Sequence, residues 1–210
     1  MIGKIFVTSS GYDPEKGKDV KDPYLGAKPS MGACRPDIRG RLQTGDHIFV
    51  VSGKVRNINQ FVIGGFEIAE KINVLEAFHR YPEQRLVLGM DGQVTGNVII
   101  DALGKQHELD HHIQKTFDKR IENYVVGCNP IALMTSEEVA EGRRLTLEIL
   151  RDVFETKGDS IRELLGRCRN LSEKQVLKLR AHLDAVKDIA RPISPGELLC
   201  GRSNLARVAV

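Results

Sequence analysis

Arginines crowd one short segment of this chain. Ala33-Cys34-Arg35-Pro36-Asp37-Ile38-Arg39-Gly40-Arg41 carries three guanidinium groups and a thiol, with Lys28 upstream and Lys54 and Arg56 downstream. Only Asp37 and Asp46 oppose them. A guanidinium binds phosphate bidentately and stacks on bases, and cationic contacts supply most of the non-specific affinity for nucleic acid. In an extended segment Arg35, Asp37, Arg39 and Arg41 would share one face, because side chains alternate with period two. The competing reading is a solvated edge on which Asp37 pairs with a neighbouring arginine. Cys34 reads as a nucleophile if Arg35 lowers its pKa and a distant base such as His47 or His111 approaches it. As a small buried hydrophobe at a strand edge it does no chemistry.

A second group of titratable residues is denser still: His107, Asp110, His111 and His112 fall within HELDHH. Imidazole and carboxylate at this spacing suit a metal or a general base, whereas a polar loop facing water needs neither. The Asp-His-His string is similar to a phosphoesterase motif, but the further aspartate motifs of that group are missing. Two tyrosines, Tyr12 and Tyr24, lie in the loop preceding the basic segment and offer faces for base stacking. Ordinary loop packing is the alternative for each. No metal, cofactor or catalytic residue is assigned from these patterns.

The elements that would hold these groups are legible in part. Lys4–Ser9 (KIFVTS) has the β-branched and aromatic character of a buried strand. Residues 11–30, rich in turns and without periodicity, form a long loop of the kind that is usually functional or mobile. His47–Ser52 and Gln60–Ile68 are apolar strands, and Gly64-Gly65 within the second signals a bulge or close backbone approach. Leu86–Met90, Asn97–Ile100 and Asn123–Cys128 are further strand candidates. Beyond residue 130 the pattern turns helical. Thr135 and Ser172 open helices with Glu138 and Gln175 at capping-box positions, and Val176, Leu179, Leu183 and Val186 keep one face. A shorter helix falls in 159–167. The expected divisions are 1–134, a helical extension over 135–191 and a tail over 192–210.

At 210 residues, with 41% hydrophobic and 28% charged residues, the chain suits a globular protein able to bury a core unaided. A net charge of +3 permits a polyanionic partner without requiring one. The four cysteines form no CxxC pair, which argues against a zinc ribbon or thioredoxin-type motif and for free thiols. The N-terminus lacks a signal-peptide pattern, and no apolar run approaches the roughly 20 residues of a membrane span. The expectation is a cytoplasmic protein without membrane contact.

The order of motifs resembles a known group. A G-D-x-I-x-x-V strand, a polar loop and a V-x-G-x-x-x-I strand resemble the centre of PUA-like domains, including the EVE, ASCH and YTH branches. Closer still is the second type of nucleotide modification associated domain. There a proline-rich loop leads to a small-Cys-Lys/Arg-Pro-x-Ile-Arg motif and then Gly-Asp, as D-P-Y-L-G, A-C-R-P-D-I-R and G-D follow one another here. The resemblance covers residues 1 to 82. Met31 stands where EVE domains carry an aromatic residue, and the chain has no tryptophan. The strand-then-helix layout reads as α+β with segregated parts, and the resemblance implies that its first part is a PUA-like small β-barrel recognising nucleic acid or a nucleotide, with a modified base among the candidates. It also implies that Ser9, Ser10 and Tyr12, after the first strand, line the ligand pocket.

The expected function is therefore binding of nucleic acid or a nucleotide through Ser9, Ser10, Tyr12, Tyr24, Cys34, Arg35, Arg39, Arg41 and Lys54. Two alternatives differ in class. One is an enzyme acting on nucleotides or bases through the 107–112 cluster. The other is an interaction protein forming a homodimer through its C-terminal helices, with Leu179 and Leu183 at the interface.

Overall fold

A computed structural model describes residues 1–191 of the chain, so the expected tail lies outside the described residues. Its centre is a six-stranded sheet. Strand β1 (Gly3–Val7) runs parallel to β3 (His47–Val51), which pairs antiparallel with β4 (Val62–Ile72). Strand β7 (Tyr124–Ala132) follows on β4, and the two-residue β2 (Ser30–Met31) closes that side. On the other side β8 (Cys168–Leu171) pairs antiparallel with β1. Every residue of β3 is buried, as its unbroken apolar sequence requires of a strand covered on both faces. The β3–β4 register shifts beside Gly64, and the β4–β7 register shifts just after Gly65, where the glycine pair signals irregular pairing.

The small β-barrel is not formed. Strand order β2-β7-β4-β3-β1-β8 leaves β2 and β8 as two separate edges. Closure needs both terminal strands to find partners in one another. Here the second side of β1 is taken by β8, a strand that the sequence reading missed. The fold is a mixed α+β sheet with helices laid upon it.

Those helices are integral to the sheet's core. α4 (Ser136–Phe154) and α6 (Glu173–Ala190) both begin with complete capping boxes, at Thr135/Glu138 and Ser172/Gln175. Val139, Ile149, Leu150 and Val153 of α4 and Val176, Leu179, Leu183 and Val186 of α6 join Ile5, Phe49, Val50 and Phe66 in one apolar cluster. Thr146 Oγ1 accepts the Val62 amide at 3.0 Å, fastening α4 to β4. α5 (Ile161–Leu165) precedes β8. Leu179 and Leu183 are fully buried within the chain, so neither is exposed for a dimer interface.

A second, smaller apolar cluster lies across β7. Val125 faces the main core, while Tyr124 and Val126, on alternate positions, face this one. It gathers Ala33, residues of α2 (Val74–Arg80), Leu86, Val98, Ile99, Ile100 and Phe117 of α3 (Phe117–Ile121). Most of this lobe is irregular. Among the described residues its ladder is the short pair β5 (Val87–Leu88) and β6 (Val94–Thr95), and Asn97–Ile100 is not a strand. A buried chain holds it to the sheet: Tyr124 Oη donates to Asn97 Oδ1 at 2.7 Å, and Asn97 Nδ2 donates to Ser30 Oγ at 3.0 Å.

Candidate functional site

Between the two cores lies a cavity of about 510 Å3. Phe6 contributes from the main core, and Leu86 and Ile99 from the smaller one. Ser9, Tyr12, Cys34 and Arg35 all reach its wall, together with Asp110, His111 and His112. Three segments far apart in sequence thus converge on one concavity.

The turn after β1 is set by backbone contacts. Tyr12 donates its amide to the Ser9 carbonyl, and Gly53 donates its own to the Tyr12 carbonyl at 2.7 Å. A Cβ on Gly53 would collide with the Ser9 carbonyl, so this close approach needs glycine. Thr8, on the same wall, has a buried hydroxyl oxygen with no hydrogen-bond partner among the described residues. Such orphaned groups are uncommon in native interiors.

The 32–35 wall hangs on Asp22. Its carboxylate accepts the Gly32 amide at 2.7 Å, the Ala33 amide at 3.0 Å and the Cys34 amide. A side chain at Gly32 would strike the Tyr124 ring, so glycine lets the backbone settle there. Burial pushes the Asp22 carboxyl up, against the Arg39 guanidinium and the three amides that favour its charged form. The same setting decides Cys34. Burial, and then the neighbouring Asp22 carboxylate, raise its thiol to about 12, which goes with the buried-hydrophobe reading of Cys34 and against activation by Arg35. Cys34 is a protonated wall residue, not a nucleophile.

The basic segment is not extended. Arg35 is the N-cap residue of α1 (Pro36–Arg41), and the helical turn sends the three arginines to three different environments. Arg35 itself takes a left-handed conformation, φ 48°, uncommon for a residue with a Cβ. Its guanidinium binds Asp37 through two hydrogen bonds of 2.9 and 2.8 Å and lies over the Phe6 ring at 5.4 Å. The carboxylate holds the charge on Arg35 more firmly than usual. Arg39 is fully buried, donating to the carbonyls of Cys34, Arg120, Glu122 and Asn123 at 2.7–2.9 Å. It is a structural tie rather than a ligand contact. Arg41 lies away from the cavity, beside Ile2, Lys4 and Asn170.

The remaining expected residues also divide. Ser10 is exposed and donates to the carbonyl of exposed Lys54 at 3.1 Å, and neither lines the cavity. Tyr24 lines a neighbouring cavity of about 550 Å3 with Leu25, Leu133 and Val139. Lys21 borders both cavities, and no hydrogen bond or ion pair engages its ammonium among the described residues. Arg120, on α3, donates to the Ala33 carbonyl at 2.7 Å and to Thr116 Oγ1 at 3.1 Å while facing the cavity. Lys21, Asp22 and Arg120 were not singled out by sequence reasoning. Asp22 sits in an Asp-Pro turn, and Arg120 in a short charged helix without a motif.

The 107–112 cluster is ordered by its own hydrogen bonds. Asp110 Oδ1 meets His112 Nδ1 at 2.5 Å, and Asp110 Oδ2 accepts from Gln106 Nε2 at 2.8 Å. The Asp110 side chain is only 3% exposed, whereas that of His112 is 30% exposed. His107 turns instead to its own loop, where Nδ1 accepts the Leu109 amide. Among the described residues no group of three His, Cys, Asp or Glu side chains is arranged to hold a metal ion, and no helix is long and apolar enough to cross a membrane.

No family model matches the chain, and neither curated proteins nor solved structures yield a match.

Proposed function

We propose that this protein binds nucleic acid or a nucleotide in the cavity between its two cores. One observation carries the reading: Ser9, Tyr12 and Arg35, distant from one another in sequence, line one concavity with Lys21, Arg120, His111 and His112. Lys21 and Arg120 bring positive charge to that wall beside Arg35, whose guanidinium is shared with Asp37, and such charge suits a phosphate. Tyr12 supplies a face for base stacking and Thr8 a hydroxyl without a partner. The left-handed Arg35 backbone adds support, since strained conformations cluster at ligand sites. The likeness of the 1–82 motif order to nucleotide modification associated domains supports the same ligand class and does not depend on a barrel. A modified base remains part of that proposal, with no tryptophan to cage it.

The test is a binding titration with mononucleotides and short oligonucleotides, plain and base-modified, across a salt series. Binding should weaken as salt rises. Arg120→Ala and Lys21→Ala should each weaken it and flatten the salt slope by about one unit for each phosphate left without its cation. Absence of binding at low salt would reject the reading.

A further inference from the structure

The cavity wall holds more than a binding site requires. Asp110 is nearly buried, its second oxygen is occupied by Gln106, and its first oxygen meets His112 Nδ1 at 2.5 Å. A carboxylate on Nδ1 fixes the tautomer that leaves Nε2 able to accept a proton. No hydrogen bond engages His112 Nε2 among the described residues, and the ring lines the cavity. His111 supplies a second imidazole on the same wall, with Arg35, Arg120 and Lys21 as cations. Cys34, held as a thiol, is unsuited to attack.

We propose that this site cleaves single-stranded RNA by metal-independent transesterification, with His112 as general base and His111 as general acid. The inference rests on the binding reading above and narrows its ligand to RNA. The residues at hand favour an internal nucleophile. A lone imidazole acts best on a hydroxyl that the substrate itself holds beside the phosphorus, where proximity replaces an activated water. The 2′-hydroxyl of RNA is such a group. His112 Nε2 takes its proton as the 2′-oxygen-to-phosphorus bond forms. The phosphorus-to-5′-oxygen bond breaks, and the departing oxygen takes a proton from the His111 imidazolium. The products are a 2′,3′-cyclic phosphate and a 5′-hydroxyl, and solvent restores both imidazoles. No oxidant, reductant or second substrate enters. Arg35, Arg120 and Lys21 face the charge that grows on the phosphoryl oxygens. Asp110 is a positioning residue.

The experiment uses the full chain and a short mixed-sequence single-stranded RNA, with its 2′-deoxy counterpart as a non-cleavable ligand. Products are identified by mass, with and without EDTA. The expected result is a 2′,3′-cyclic phosphate product, insensitive to EDTA, with a bell-shaped pH dependence. His112→Ala and His111→Ala should each slow cleavage roughly 100-fold or more while still binding the deoxy ligand, which also reports that the variants fold. Asp110→Asn should lower kcat while leaving KM for the RNA little changed, as expected of a residue that orients the His112 ring and does not touch the substrate. Binding of the deoxy ligand without RNA cleavage would overturn the proposal and leave the binding reading standing. Cleavage abolished by EDTA, or undiminished in His112→Ala, would overturn it equally. Failure to bind either oligonucleotide would overturn both.

Discussion

The two cores of this protein are built on different principles. The sheet with α4 and α6 is regular, and periodic apolar residues fill one continuous cluster from Ile5 to Val186. The 73–121 lobe has a small core, little regular structure, and side-chain hydrogen bonds where the sheet has ladders. The regular part supplies the Ser9–Tyr12 turn and Arg35. The irregular part supplies Asp110, His111, His112 and Arg120. A rigid scaffold meets a side-chain-held wall, and the cavity is their junction.

Arg39 is the test of that junction, since it reaches from α1 to three carbonyls at the end of the lobe. Arg39→Ala leaves those carbonyls and the Cys34 carbonyl without their donor. It should cost about 4 kcal/mol, as expected for a broken buried charge network, read from the midpoint of denaturant unfolding. If the loss is under about 1 kcal/mol, the lobe is held by other means. Leu183→Ala, confined to the regular core, should cost about 3 kcal/mol through the cavity it opens and leave ligand affinity unchanged. Tyr124→Phe removes the hydroxyl bonded to Asn97 and should cost about 1 kcal/mol. Hydrogen exchange should rise locally around residues 97–100 rather than through the sheet.

A smaller effect separates the regions by pH. His47 in β3 is 4% exposed, its Nδ1 has no partner among the described residues, and burial lowers its pKa from 6.5. The group is neutral in the fold, so its contribution is fully present above about pH 6.5, the unfolded value. Stability falls as pH drops from there towards the lowered folded value. His47→Phe should flatten that part of the pH–stability curve. An unchanged acid slope would assign it to other groups. At the bottom of the scale, Arg41→Ala and Lys54→Ala should leave binding within experimental error, because neither side chain lines the cavity.

Periodicity made the regular half legible. The continuous apolar β3, the glycine pair in β4 and both capping boxes were readable because local sequence and tertiary environment agree there. β8 was not, because Cys-Arg-Asn-Leu has no alternation and gains its strand from pairing with β1. The barrel expectation failed at the same place. The arginine segment misled in another way. Pro36 at the first helical position is a helix-start signal, and helical geometry separates Arg35, Arg39 and Arg41 where an extended chain would align them. Asp22 gave no signal, since its role lies in three amides ten to twelve residues away.

Hydrogen exchange with and without a saturating short oligonucleotide tests most directly whether both regions close on one ligand. Protection is expected together at residues 8–12, 32–35 and 109–112, with none at 24–26 or 41–45. Protection restricted to one side of the cavity, or centred on Tyr24 or Arg41, would contradict the account.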